Sequence, residues 1–68
     1  MDIRLTINGS ERRFVPPVTV RTLVGEMGMD GKRIAIERNG EIVPRSRYDE
    51  TTLADGDRLE VVVAVGGG

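Results

Sequence analysis

The chain begins with alternating apolar and polar residues, and the same pattern returns twice further along. Such alternation is typical of a strand that buries one face and exposes the other. In the last of these stretches the alternation holds for the first half, and the β-branched residues that follow also favour a strand. The pattern predicts strands over residues 3–7, 33–38 and 58–65.

An Asn-Gly pair follows each of the first two strands, at Asn8-Gly9 and Asn39-Gly40. Asn and Gly tolerate the positive φ angles of a tight hairpin turn. Returning strands are therefore expected over residues 11–15 and 41–43, and proline, which lacks the N–H that a ladder uses, ends both. The sequence thus predicts two hairpins.

Between the hairpins, apolar residues recur with the spacing of a helix. Thr19 is placed to cap the start of this helix, and Gly28 is placed to end it. At about two turns the helix is too short to persist alone, so it must dock on the sheet. Its apolar stripe consists of Val20, Leu23, Val24 and Met27.

Residues 45–52 follow neither pattern, which indicates an irregular crossover with one helical turn around residues 45–49. Tyr48 is expected to fix this segment to the core. The other expected core residues are Ile3, Leu5, Ile7, Phe14, Val20, Leu23, Val24, Met27, Ile34, Ile36, Leu53, Leu59, Val61 and Val63.

The predicted order is strand, strand, helix, strand, strand, crossover, strand. It indicates an α+β chain with a mixed sheet of about five strands packed on one main helix. If the last strand lies beside the first, the arrangement is the β-grasp, or ubiquitin-like, fold. We expect a β-grasp domain over residues 1–65 and a flexible C-terminal glycine tail over residues 66–68.

Composition narrows the class of partner. The 68 residues include ten basic and eleven acidic ones, with a net charge of -1, and their mixed order favours neither nucleic acid nor an anionic membrane. The longest apolar run, residues 61–65, is far too short to span a membrane. Since the chain starts with a strand pattern rather than a signal peptide, we expect a cytoplasmic protein. We also expect it to be monomeric when free.

The chain has no Cys and no His. This excludes disulfides, zinc sites built on those residues, thiol nucleophiles and imidazole acid–base chemistry. The remaining candidates are carboxylates, hydroxyls, Tyr48 and Lys32, and a domain this small offers little cavity in which to activate them. We therefore expect no catalytic site, no metal site and no bound cofactor.

The chain finishes with Val65-Gly66-Gly67-Gly68. Without side chains, these glycines can enter a narrow slot and adopt φ values that are closed to other residues. One interpretation is a reactive or docking C-terminus, and the other is a cloning scar or the start of a linker. The glycines by themselves leave both open.

The chain carries several segments in a characteristic order: residues 36–45, Tyr48, residues 53–57 and the terminal residues 65–68. Together they resemble the ThiS family of sulfur carrier proteins in thiamine biosynthesis. The resemblance covers the whole chain. Most members end in two glycines and some in three, so the additional Gly66 is a mild variation and the resemblance favours a native end.

The resemblance implies a carrier rather than an enzyme. An ATP-dependent, ThiF-type adenylating enzyme would join AMP to the carboxylate of Gly68. Sulfur from a cysteine persulfide, supplied by a donor such as a cysteine desulfurase, would then replace AMP to give a thiocarboxylate. Thiazole synthase, ThiG, would take that sulfur for the thiazole ring, with Gly66 and Gly67 as the flexible approach.

The last strand suggests where such partners dock. If Val61 and Val63 face the helix, then Val62 and Ala64 face outward, beside Arg4 and Ala35. Together with Val65 they predict an apolar docking surface next to the tail. The alternative is an ordinary surface valine that the strand favours.

Three rival functions remain. The small subunit of molybdopterin synthase is a related sulfur carrier with the same fold and Gly-Gly end, although the short length and residues 39–45 argue against it. A ubiquitin-like modifier that is conjugated to lysines is another. The chain is alternatively a non-carrier interaction domain with incidental glycines.

Overall fold

Over residues 1–64, which are those that the computed structural model describes, the elements follow the predicted order. Both ends of β1 are as predicted, and the ends of the other strands agree with the predicted ones to within two residues. The predicted end of the last strand at Val65 and the predicted tail over residues 66–68 lie outside the described residues. The elements are β1 (Ile3–Ile7), β2 (Ser10–Phe14), α1 (Val20–Glu26), β3 (Ile34–Arg38), β4 (Glu41–Ile42), a 3₁₀ turn (Arg45–Arg47) and β5 (Arg58–Val63).

The strands form one mixed sheet in the order β2-β1-β5-β3-β4. The last strand does lie beside the first: β5 runs parallel to β1, in a register that pairs Arg58 with Thr6. On its other side β5 runs antiparallel to β3, and Val61 lies opposite Ile36. The predicted β-grasp fold is confirmed, and β5 is its central strand.

Both hairpin turns are confirmed, and each asparagine also holds β5. Asn8 and Asn39 have φ values of 51°, and the glycines after them have φ values of 84° and 88°. The side chain of Asn8 donates to the carbonyl of Val61 at 3.1 Å and accepts from its N–H at 2.7 Å. The side chain of Asn39 accepts from the N–H of Arg58 at 2.9 Å. The two turns therefore clamp β5 from opposite sides.

The helix α1 begins and ends as predicted. The Thr19 hydroxyl caps it by accepting from the N–H of Thr22 at 3.2 Å, and Gly28 follows its C-cap with a φ of 68°. Burial of its apolar stripe, rather than its own helical propensity, holds these seven residues in place. The stripe residues Val20, Leu23 and Val24 are fully or almost fully buried against the sheet.

The crossover is fixed by Tyr48, as expected. Its side chain is 3% exposed, and its carbonyl accepts from the N–H of Arg21 at 3.1 Å. The Arg21 guanidinium lies 5.6 Å from the ring centroid and donates to Asp49 at 3.0 Å. The crossover is thereby attached to the first turn of α1.

The core differs from the predicted one at its margins. Val63 was expected inside but is 42% exposed, because it is the last residue of β5 and lies beyond the residues of β5 that pair with β1. Val18 and Val43 were not expected inside, yet they are buried. The partly buried residues around the core are Ile3, Phe14, Met27, Met29 and Ile34.

Asp57 is the one charged side chain that is buried in the described part of the chain. It accepts hydrogen bonds from the N–H of Ala54 at 2.8 Å, from Asn39 at 3.0 Å and from Arg38 at 2.9 Å. Burial by itself raises the pKa of this carboxyl, but the three hydrogen bonds and the charge of Arg38 outweigh it and hold the pKa below its usual value. Asp57 thus joins the β3–β4 turn to the start of β5.

We expect Asp57→Asn to lower the free energy of unfolding by about 2 kcal/mol at neutral pH, because hydrogen bonds to a charged group are lost. Since the pKa of Asp57 is lower in the folded than in the unfolded protein, its contribution is complete above the unfolded value and declines as the pH falls below about 4. Urea denaturation at several pH values measures this.

The exposed Glu50 provides the matched control, because its carboxylate has no partner within residues 1–64. Glu50→Gln is expected to leave the free energy of unfolding nearly unchanged. A difference between Asp57→Asn and the parent protein that stays constant down to about pH 2 would contradict the role of the Asp57 charge.

Candidate functional site

The end of β5 presents the residues that the sequence singled out. Val62 pairs with Ala35 on β3, both side chains lie on the sheet face opposite α1, and Val62 is 61% exposed. Ala64 is also exposed, and its N–H donates to the carbonyl of Arg33 at 2.8 Å. The expected outward orientation of Val62 is confirmed. Its part in docking stays a prediction, as does that of Val65, which lies outside the described residues.

The expected position of Arg4 beside Val62 was wrong. Arg4 lies on the same sheet face, but β1 and β5 are parallel and Thr6 pairs with Arg58. This register places Arg4 next to the start of β5, where its carbonyl accepts from the N–H of Gly56 at 2.7 Å. Val62 lies at the other end of the strand, so the face beside it has no arginine from β1.

An acidic pair lies next to Val62 on the same sheet face, two residues away along the strands. Glu37 on β3 and Glu60 on β5 are directly opposite each other, and both are exposed. Like charges in this position are destabilising. On β4, Ile42 lies opposite Glu37 and is 63% exposed. We call these five side chains, Ala35, Glu37, Ile42, Glu60 and Val62, the outer surface.

The acidic pair and Ile42 were missed by sequence reasoning. Each lies within an element that was predicted, but their proximity depends on the register between β3, β4 and β5. Alternation identifies which residues share a face of one strand, whereas it does not identify which residues lie opposite each other on two strands.

A shallow depression of about 560 Å³ lies between the two Asn-Gly turns. Arg58, Glu37 and Glu60 line it together with the two turns. Within residues 1–64, no three acidic side chains converge as metal ligands. No helix in this part of the chain is long and apolar enough to cross a membrane.

The predicted reactive residue is close to this surface along the chain. Gly68 follows Val63 by five residues, and a chain segment of that length spans at most about 18 Å. Gly66, Gly67 and Gly68 lie outside the described residues. The structure therefore describes the end of β5 from which the tail continues, and not the tail.

Comparison with known proteins agrees with this fold, which defines a small protein of the ubiquitin-like β-grasp class. The family model described as ThiS family matches residues 5–68. A crystal structure of the thiamine biosynthesis protein ThiS from Geobacter metallireducens superposes with a TM-score of 0.83 at 30% identity, over 97% of this chain and 100% of that one. The chain belongs to the ThiS family.

Two relatives in sequence differ greatly in length. The sulfur carrier protein ThiS of Bacillus subtilis is 35% identical over 65 residues, which are 94% of this chain and 98% of that protein. A thiazole synthase of Paramagnetospirillum magneticum is 50% identical over 66 residues, or 97% of this chain. The chain spans only 20% of the length of that thiazole synthase.

The two faces of β5 should differ in how much stability the protein loses when a charge is introduced. Val61→Asp places a carboxylate in the core, and we expect it to lower the free energy of unfolding by more than about 3 kcal/mol. Val62→Asp places the carboxylate in water and is expected to cost about 1 kcal/mol, chiefly through lower strand propensity. Thermal and urea denaturation measure both, and similar losses for the two variants would contradict the register of β5.

Proposed function

We propose that this chain is a sulfur carrier protein of thiamine biosynthesis, in which the carboxylate of Gly68 is the group that carries sulfur. The observation that supports this most strongly is the match to the Bacillus subtilis sulfur carrier along 98% of that protein. The family match also extends to Gly68, so that it includes the glycine tail. In this proposal the chain is a substrate of enzymes and not an enzyme itself.

The chemistry begins at the terminal carboxylate. An α-carboxyl group is ionised at neutral pH, so one of its oxygens can attack the α-phosphorus of ATP without a base of its own. The O–P bond forms as pyrophosphate leaves, and the product is an acyl adenylate. A ThiF-type adenylating enzyme binds the ATP, and this chain itself holds no cofactor.

Sulfur enters at the second step. The acyl adenylate is a good acyl donor, so the terminal sulfur of a cysteine persulfide attacks the acyl carbon and AMP leaves with the electrons of the C–O bond. A thiol reductant then cleaves the S–S bond and releases the thiocarboxylate. A cysteine desulfurase is a suitable source of the persulfide. We place all of these reactions in the cytoplasm.

The glycines suit a carboxylate that visits several active sites. Each enzyme must bring its reacting group to within roughly 3.5 Å of the same carbon. Side chains at Gly67 or Gly68 would obstruct a narrow entrance to an active site. Glycine in addition allows φ values that other residues avoid. The Gly-Gly end is therefore the part that the enzymes handle, and residues 1–65 hold it and are recognised.

Docking is proposed to involve the end of β5. Val62 is exposed and lies beside the small side chain of Ala35, so an apolar group of a partner can reach both. Ala64 is also exposed, and we propose Ala64 and Val65 as further docking residues. Thiazole synthase is the proposed recipient of the sulfur, and the 50% identity between this chain and a fifth of one thiazole synthase supports that link.

The related small subunit of molybdopterin synthase and a non-carrier interaction domain are the alternatives. No feature of residues 1–64 favours either. The relatives named for thiamine biosynthesis support the thiazole pathway.

The direct test uses intact-mass spectrometry. Incubation with a ThiF-type enzyme, ATP, a cysteine desulfurase, cysteine and a thiol reductant should add the mass of one oxygen-to-sulfur exchange to this chain, located at Gly68. Deletion of Gly67 and Gly68 should abolish the exchange and leave the melting temperature nearly unchanged, because chain ends carry few buried contacts. No exchange with the cognate enzymes would overturn the carrier function.

The docking surface is tested separately by affinity. We expect Val62→Asp to weaken binding to the adenylating enzyme by at least tenfold, which corresponds to about 1.4 kcal/mol. Val62→Thr, which keeps the β-branched shape, should have a smaller effect. Glu50→Gln, on the crossover, is the control and should bind like the parent protein. Equal affinities for all four proteins would show that Val62 lies outside the interface.

A further inference from the structure

The central strand β5 extends further than its neighbour β1. The two strands pair only at Thr6–Arg58 and Ile7–Leu59, after which β1 turns away at Asn8-Gly9. On the other side, pairing with β3 continues as far as Val63 and Ile34. The last residues of β5 are therefore paired on one side of the strand only.

Asn8 extends the hydrogen bonding between β1 and β5 to Val61, two residues beyond the last paired residue, Leu59. Its backbone N–H donates to the carbonyl of Leu59 at 2.9 Å, and its side chain binds both the N–H and the carbonyl of Val61. The backbone groups of Leu59 and Val61 thus point towards β1. Those of Arg58 and Ala64 point towards β3, where the carbonyl of Arg58 accepts from Asn39 and the N–H of Ala64 donates to Arg33, each at 2.8 Å.

This alternation fixes the direction of the backbone groups of Val63. Leu59, Val61 and Val63 alternate with residues that bond to β3. Val63 therefore directs its N–H and its carbonyl to the side where β1 has ended. Neither group has a partner within residues 1–64, and the residue is 42% exposed. An unpaired strand edge of this kind is a template for another strand.

We propose that the adenylating enzyme binds this edge by adding an extended segment of its own backbone beside Val63, as a further strand next to β5. The proposal rests on the proposed function, since it concerns how the carrier is held while its tail reacts. Peptide recognition by strand addition takes its affinity from main-chain hydrogen bonds. It requires no particular side chain on the enzyme segment.

The position of this edge along the chain favours an occupant that handles the carboxylate, and in the proposed function the adenylating enzyme is the first to do so. Gly68 lies five residues beyond Val63, so the reacting carboxylate stays within about 18 Å of Val63, the residue with which the enzyme segment pairs. Backbone pairing there fixes the place from which the tail continues and reduces the entropy that is lost when the tail enters the active site. A partner that handles the carboxylate gains most from holding this edge.

The other two edges of the sheet are less suited to strand addition. Along β2, Glu11, Arg12 and Arg13 are all exposed and charged, and charged side chains protect an edge from pairing. The opposite edge is β4, which has only two residues. The Val63 edge is apolar by comparison, with Val62 and Ala64 on either side.

Amide hydrogen exchange measured by NMR tests the proposal on the full chain. In the free protein, Val62 and Ala64 should exchange slowly because they bond to β3, whereas Val63 should exchange rapidly. In the complex with a ThiF-type adenylating enzyme, the exchange of Val63 should slow at least tenfold. A complex in which Val63 still exchanges at its free rate overturns strand addition and leaves the carrier function intact. If no complex forms, the carrier function fails and this proposal fails with it.

A pair of variants separates the backbone of Val63 from its side chain. Val63→Pro removes the N–H that faces the open edge without removing a hydrogen bond to β3, a position where strands accept proline. We expect it to weaken binding of the adenylating enzyme about fivefold, as the loss of one hydrogen bond does. Val63→Ala keeps the N–H and should bind within about twofold of the parent protein.

Equal binding by the two variants would overturn the proposal. If Val63→Pro unfolds the chain, the exchange rate of Val63 in the parent protein decides. A second copy of this chain is the alternative partner of the Val63 edge. Sedimentation of the free protein tests for it by measuring whether the chain is a monomer or a dimer. We expect a monomer, and a dimer in which Val63 is already protected would assign the edge to self-association and overturn the proposal as stated.

Discussion

The structure depends on how β5 is held between its two neighbours. It has β1 on one side, to which it runs parallel, and β3 on the other, to which it runs antiparallel. Parallel pairing lacks a connecting hairpin that would set its register. Here the side chain of Asn8 sets the register with β1, and the side chain of Asn39 helps to set the register with β3, because each bonds to the backbone of β5 at a defined residue. A slip by one residue would exchange the buried Val61 with the exposed Val62.

The same register determines which side chains of β5 stabilise the core and which are exposed for recognition. Its inward side chains, Leu59 and Val61, complete the core, whereas Glu60 and Val62 contribute to the outer surface. The opposition of Glu60 and Glu37 costs stability and has no compensating ion pair within the described residues. Proteins accept such local conflicts chiefly where a surface has a function. The conflict thus agrees with an outer surface that serves recognition.

Most of the fold was predictable because its signals are local. Alternation identified the strands, two Asn-Gly pairs identified the turns, and Thr19 and Gly28 bounded the helix. The errors concern relations between elements. Val63 alternates correctly but lies beyond the residues of β5 that pair with β1, and Val18 is buried although it belongs to no periodic element. Likewise, the hydrogen bonds of Asn8 and Asp57 join residues that are far apart in sequence, and no pattern within a strand indicates them.

The unequal lengths of β1 and β5 connect the fold with its proposed use. If β1 continued alongside β5, the backbone of Val63 would be paired and no edge would be open where the tail begins. Because β1 turns at Asn8, β5 instead extends past the end of β1, and its last residues are exposed and paired with β3 alone. The turn that fixes the register therefore also frees the end of the strand. A single asparagine thus serves both stability, by binding Val61, and access, by ending the ladder there.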